Sequence, residues 1–297
     1  MKLPVACSTG FACLAAFVYS SAAQAYCRTT TCDPQTECEY DARGCSDHVG
    51  LPLVWKGGCV SYSVQRNASP ARGIDYDTIH AIVEESFDSW TDADCAGGTP
   101  SLTTSDLSPV SCAEPEYNSN NPNANVVMFR DNDWPYEGAN ATLALTTITF
   151  NFETGEIFDA DIEVNSFKTR LSTSDSVVDF DLQSVITHEA GHFLGLSHSN
   201  IEGATMFVEY RKGDLSFRDL SSDDEEGMCA AYPSNRSVPA GDCRPRHGFS
   251  PDCRPAPDEG CAFRSAPAGH VPAWPLVALL VIGVPFGLRW RRTQPNA

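Results

Sequence analysis

Eleven consecutive residues constrain this chain more than any other stretch: His188-Glu189-Ala190-Gly191-His192-Phe193-Leu194-Gly195-Leu196-Ser197-His198. Just upstream, Asp181 is suited to cap a helix, and Leu182, Val185 and Ile186 begin an apolar stripe at helical spacing. His188 and His192 then stand four residues apart on one helix face, where two imidazoles reach a single ion at ~2 Å from each nitrogen. Gly195 falls where the helix must stop, because glycine takes a positive φ without a Cβ clash. The turn it permits brings His198 round as a third nitrogen donor. Three neutral imidazoles leave one position of a tetrahedral zinc open to water, the design of a catalytic rather than a structural site. Glu189, beside the first ligand, is placed to take that water's proton and hand it to a leaving amine, while the metal lowers the water's pKa and polarises a carbonyl. A bare H-E-x-x-H arises by chance on ordinary helices; Gly195 and His198 at their spacings make three unrelated surface histidines a poor explanation. The chemistry indicated is metal-assisted amide hydrolysis.

Around this stretch the pattern is that of a mixed domain. Residues 59–64 alternate as a half-buried strand does, and further strands are expected at 125–130, 144–152 and 161–165. From Asp75 to Trp90, Tyr76, Ile79, Val83, Phe87 and Trp90 recur at helical spacing and predict an amphipathic helix, with His80 as a surface or capping residue. The 297 residues suffice for one catalytic-sized domain with appendages. With 39 acidic against 20 basic residues and a net charge of −19, a nucleic-acid backbone is excluded as partner, since phosphate binding needs clustered cations.

The full H-E-x-x-H-x-x-G-x-x-H pattern resembles that of the metzincin metallopeptidases, and among them the matrixins. The resemblance covers about residues 51–233, with its specific motifs between 181 and 232. It implies an α+β fold: a twisted mixed sheet with an antiparallel edge strand, an active-site helix and a C-terminal helix. It assigns His188, His192 and His198 as zinc ligands, Glu189 as the catalytic base, and Met206, in Ala204-Thr205-Met206-Phe207, as the methionine of a turn beneath the metal. Ser222-Asp223-Asp224-Glu225 reads as a capping box opening the last helix through Met228 and Tyr232, with Pro233 marking the domain end. The implied activity is endoproteolysis of extended polypeptides that add as a strand to residues 144–152. The chain departs from the matrixin pattern in three places. It has no P-R-C-G switch, no histidine between His80 and His188 for a second zinc, and Val208 where some metzincins place a tyrosine; nearby Tyr210 has no support as a ligand. Asp131, Asp133, Asp159 and Asp161 are oxygen donors of the kind calcium uses, but lack a spaced loop motif.

Both ends read as targeting segments. Residues 1–25 carry Lys2, an apolar stretch and a small-residue end at Ala23-Gln24-Ala25, the layout of a secretory signal cleaved before Tyr26. Residues 271–288 lack charge and precede Arg289, Arg291 and Arg292, which reads either as a single-span anchor with a basic cytoplasmic tail at 289–297 or, by resemblance, as a bacterial surface-sorting tail. Export accounts for thirteen cysteines. Beyond the signal they group as four in a leader at 26–50, four in the domain, and Cys243, Cys253 and Cys261 in a linker or stalk at 234–270. The grouping suggests separate local frameworks, with Cys261 the candidate odd thiol. The leading expectation is an exported, surface-associated zinc endopeptidase. Two alternatives stay open: a non-catalytic adhesion protein on the same fold, and a peptidase held latent by its leader.

Overall fold

The computed structural model describes residues 26–32, 38–41, 45–107, 109–176, 178–238, 242–252 and 286–293. In chain order the elements are β1 (Cys27–Arg28), β2 (Cys59–Val64), α1 (Tyr76–Thr91), β3 (Thr103–Asp106), β4 (Val126–Phe129), β5 (Ala144–Asn151), β6 (Ile157–Val164), β7 (Leu171–Ser172), β8 (Phe180–Asp181), α2 (Leu182–Phe193), β9 (Leu196–Ser197), α3 (Ser222–Ala231) and β10 (Phe286–Thr293). The main sheet runs β10-β5-β6-β4-β2-β3. Within it β3, β2, β4 and β6 are mutually parallel, β5 is antiparallel to β6, and β10 lies parallel to β5 on its outer side. Mixed pairing with an antiparallel strand beside the active-site helix is the α+β arrangement anticipated.

α1 forms where its apolar spacing predicts, with the Asp75 side chain accepting from Thr78 N–H. Its buried stripe, Ile79, Val83, Phe87 and Trp90, packs between the sheet and α2. Tyr62 stacks on Phe87 at 4.5 Å, and Phe87 meets Phe193 edge-on at 5.0 Å, so strand β2, α1 and α2 share one aromatic core. Trp90 Nε1 donates to Thr187 O at 2.8 Å and Trp55 Nε1 to Phe193 O at 2.9 Å, fixing α2 by its own backbone at both levels.

The structure departs from the sequence reading in four places. β6 starts at Ile157, ahead of the expected Asp161, because Asp159, Asp161 and Glu163 lie on one strand face yet are buried. Their charge disguised the strand; burial is tolerated because Asp161 accepts from Val126 and Glu116 N–H, and Glu163 from Arg130 and Tyr136. The capping box of α3 is set by Ser221, one residue earlier than read: its hydroxyl accepts from Asp224 N–H while the Asp224 carboxylate accepts from Ser221 N–H. The cysteine groups are not separate frameworks. Cys27–Cys45 and Cys32–Cys38 staple the leader and Cys95–Cys229 the domain, but Cys59–Cys243 ties β2 to the segment read as linker. That segment also packs: Arg236 donates to Trp55 O and Gly57 O, and Ser250 N–H to Asn123 O. Finally, Phe286–Thr293, read as the end of an apolar span and its basic tail, is a strand. Among the described residues no helix is long and apolar enough to cross a membrane. Residues 1–25, Cys253, Cys261 and residues 271–285 lie outside the described residues.

Candidate metal centre

Helix α2 begins as its sequence dictates. The Asp181 carboxylate caps it, accepting from Ser184 N–H at 2.9 Å, and the Arg218 guanidinium holds the same carboxylate in a two-pronged pair at 2.6 and 2.8 Å. That fork neutralises a buried charge and fixes its plane. Nearly the whole helix is buried, including its two histidines and Glu189. At Gly191 it passes so close to α1 and the Met206 turn that a Cβ would sit against Met206 Sδ and 2.7 Å from the Trp90 ring. Gly195 ends the turn with φ +90°, and a Cβ there would meet Leu53 O at 2.6 Å. Both glycines are therefore required by close approach.

Past Gly195, β9 carries the chain back to His198. The three imidazoles converge, with ring centroids 4.7–5.3 Å apart, and are one of two donor clusters among the described residues that are close enough to hold a metal ion. The other, Asp41, Asp47 and His48, lies in the leader, with His48 exposed. Each helix histidine is oriented from behind: His188 Nδ1 donates to Thr205 O at 2.6 Å and His192 Nδ1 to Leu196 O at 3.0 Å. This assigns the tautomer and turns Nε2 inward. His192 Nε2 and His198 Nε2 are 3.2 Å apart, close to the ~3.3 Å edge of a tetrahedron with ~2.0 Å bonds. Burial, together with the neighbouring imidazoles, holds His188 and His198 well below the ordinary histidine range; burial takes His192 down to about 4, opposed by its bond to Leu196 O. Neutral imidazoles are the form that binds zinc. Set, spacing and protonation all fit that ion.

Glu189 lies on the same helix with zero exposure. Its Oε2 accepts from the Thr146 hydroxyl at 2.5 Å, while Oε1 is buried with no hydrogen-bond partner among the described residues. Burial pushes its carboxyl up to about 8, against the Thr146 bond. Met206 is buried with its Sδ against Gly191 of the helix, and the backbone around it is held by Asp224, which accepts from Thr205 and Met206 N–H at 2.7 and 3.0 Å. Tyr210, considered as a ligand, is engaged elsewhere: its hydroxyl donates to Asp214 O and accepts from Asp181 N–H. Of the calcium candidates, Asp131 accepts from the Ser69 and Ser166 hydroxyls and from Ala71 N–H, and Asp161 from two backbone N–H groups with the Asp159 side chain beside it; none of the four belongs to a three-donor cluster among the described residues.

The motif thus places His188, His192, His198, Glu189, Gly195 and Met206 in one site. Thr146, Gly191, Arg218 and the second role of Asp224 were missed. Gly191 had a signal, a residue without a side chain inside a helix; Thr146 and Arg218 come from remote segments with no local mark.

Comparison with known proteins agrees with this geometry. The matrixin profile matches residues 54–233. The chain is 36% identical to metalloendoproteinase 5-MMP of Arabidopsis thaliana over 116 residues, which is 37% of this chain and 31% of that protein. It is 33% identical to neutrophil collagenase of Homo sapiens over 114 residues, 38% and 23% of the two chains. To matrix metalloproteinase-18 of Xenopus laevis it is 26% identical over 226 residues, covering 73% of this chain and 43% of that one. In each case the match spans less than half of the relative's length. With the profile lying across the whole domain that carries the three histidines, the chain belongs to the matrixin family.

Proposed function

We propose that the chain is an exported zinc-dependent endopeptidase acting on extended polypeptides, with Glu189 as general base. The observation that carries the reading is Glu189 itself: a wholly buried carboxylate beside three convergent imidazoles, with one oxygen held by Thr146 and the other uncommitted. A buried acceptor left unmatched costs ~1–3 kcal/mol, and here it lies on the helix whose histidines form a metal-capable cluster. When bound, zinc supplies a lowered pKa for water and a polarised carbonyl. The protein's residues do the rest. His188, His192 and His198 would hold the ion, and Thr205 O and Leu196 O keep the two helix rings aimed. Glu189 Oε1 takes the proton of the attacking water and returns it to the leaving amine nitrogen, while Thr146 anchors Oε2 throughout.

The outer side of β5 supports the choice of an extended substrate. It accepts a strand along its full length, from Ala144 to Asn151, and Thr146 on that strand reaches the base. A substrate taking this edge would replace β10, so residues 286–293 and a bound peptide exclude one another. Four disulfides among the described residues support export to an oxidising compartment.

The test is cleavage of a denatured protein by the purified chain beside Glu189→Ala, with zinc content measured in both. The expected outcome is one zinc in each and a loss of at least ~100-fold in the variant. A parent chain that binds zinc and cleaves nothing would favour the adhesion reading instead.

A further inference from the structure

The leader, read from sequence as a short stapled appendage, is built into the back of the metal centre. β1 pairs antiparallel with β9, Cys27 opposite Ser197 and Arg28 opposite Leu196, so it flanks the residues immediately before His198. Thr29 N–H donates to Gly195 O at 3.0 Å, and its hydroxyl to Leu196 O at 2.8 Å. Leu196 O is the same carbonyl that receives His192 Nδ1. Arg28 adds a bridge, Nη2 to Leu53 O at 2.6 Å and Nε to Gly195 O at 3.4 Å, and Leu53 N–H returns to Thr29 O at 2.8 Å. Thr29, Thr30 and Thr31 are almost fully buried, and two disulfides hold the segment's ends. The hydrogen bonds of Arg28 and Thr29 reach the backbone of Leu53, Gly195 and Leu196 rather than an imidazole or Glu189.

We propose that Thr29, supported by Arg28, is a positioning residue for the ligands His192 and His198, and that the leader is a permanent clamp on the metal centre, not a removable inhibitor. This rests on the zinc site proposed above. The physical reason is that a carbonyl shared by two donors is fixed in direction. Leu196 O orients the His192 ring through Nδ1, and the β1–β9 ladder sets the path by which His198 arrives. Partners that orient metal ligands from outside are typically worth ~10–100-fold in metal affinity or activity.

Thr29→Val keeps the shape and deletes the donor; Thr29→Ser keeps the donor. In the full chain, zinc affinity is measured by chelator competition, and kcat and KM on a peptide. Thr29→Val is expected to weaken zinc about 10-fold and to lower kcat with KM unchanged at saturating zinc, with Thr29→Ser close to the parent. If valine disturbs the packing, Thr29→Ala reads the same loss. Parent-like zinc affinity in both valine and alanine variants overturns the proposal. So does equal loss in serine and valine, or a rise in activity, which would mark the leader as a latency device. Weaker zinc in a chain whose parent cleaves nothing would uphold the clamp and sink the peptidase reading, so the two fail separately.

Discussion

Behind His188, whose Nδ1 bonds to Thr205 O, the Asp224 carboxylate accepts four hydrogen bonds, from the N–H groups of Thr205, Met206 and Ser221 and from the Ser221 hydroxyl. Beside the imidazoles the Glu189 carboxylate, buried as deeply, takes side-chain support from Thr146 alone. Floor and wall of one site thus use the same functional group in opposite ways. Where both oxygens are engaged, the carboxylate is a scaffold that locks the methionine turn to the start of α3, and through Thr205 O it steadies His188. Where one oxygen is left uncommitted, the carboxylate is available for protons. The contrast teaches that burial alone does not mark a catalytic acid; an uncommitted oxygen beside a donor set able to hold a metal does.

The comparison breaks first at Asp224. Asp224→Ala strands the buried N–H groups of Thr205 and Met206 and the half-buried N–H and hydroxyl of Ser221, and at ~1–3 kcal/mol for each unmatched buried group the expected loss is about 4 kcal/mol in urea unfolding at saturating zinc. Loss of less than ~1 kcal/mol would mean that water or neighbours replace the carboxylate and that the floor is not a scaffold. Glu189→Ala, by contrast, removes a group with little to satisfy and should leave unfolding nearly unchanged while abolishing turnover.

A smaller effect comes from the protonation of Asp224. Burial raises its carboxyl above the ordinary range, opposed by its bonds to Met206, Ser221 and Thr205. With a folded pKa above the unfolded one, the native state binds more protons than the unfolded chain between the two values. The associated stability is fully present below the ordinary carboxylate range and is lost as pH rises through the raised pKa. The slope is at most ~1.4 kcal/mol per pH unit. Urea midpoints of the parent from pH 4 upward should therefore carry a declining component that Asp224→Asn lacks; identical profiles would assign the slope elsewhere.

How much of this was legible follows from where the information sits. Helix α2 was readable from its cap to its glycine stop because Asp181, the apolar stripe and Gly195 are local signals, and the three ligands fall within eleven residues. α1 was equally plain. β6 was half lost, read only from Asp161 onward, since Asp159 has no local strand signal and the burial of these acids depends on N–H groups such as those of Val126 and Glu116 brought to Asp161 from distant segments. Cys59–Cys243 joins residues 184 positions apart, a pairing that no spacing rule reveals. The clamp of the leader on Gly195–Leu196 is likewise long-range backbone pairing, and backbone groups carry no sequence signature. What was missed in the site is what supports the motif from outside it.

The wall gives the most selective test. Thr146 reaches Glu189 twice, its hydroxyl lying 2.5 Å from Oε2 and 3.2 Å from the Glu189 carbonyl. Thr146→Val preserves volume and strand propensity and removes only that donor. If the wall exists to orient the base, turnover should fall about 5-fold, the equivalent of one hydrogen bond worth ~1 kcal/mol, with KM, zinc content and unfolding midpoint close to the parent. Thr146→Ser should restore the rate. A stability loss on the scale of Asp224→Ala would instead place Thr146 with the floor. An unchanged kcat would show that the helix alone aims Glu189, leaving the uncommitted Oε1 as the only feature by which the wall differs from the scaffold below it.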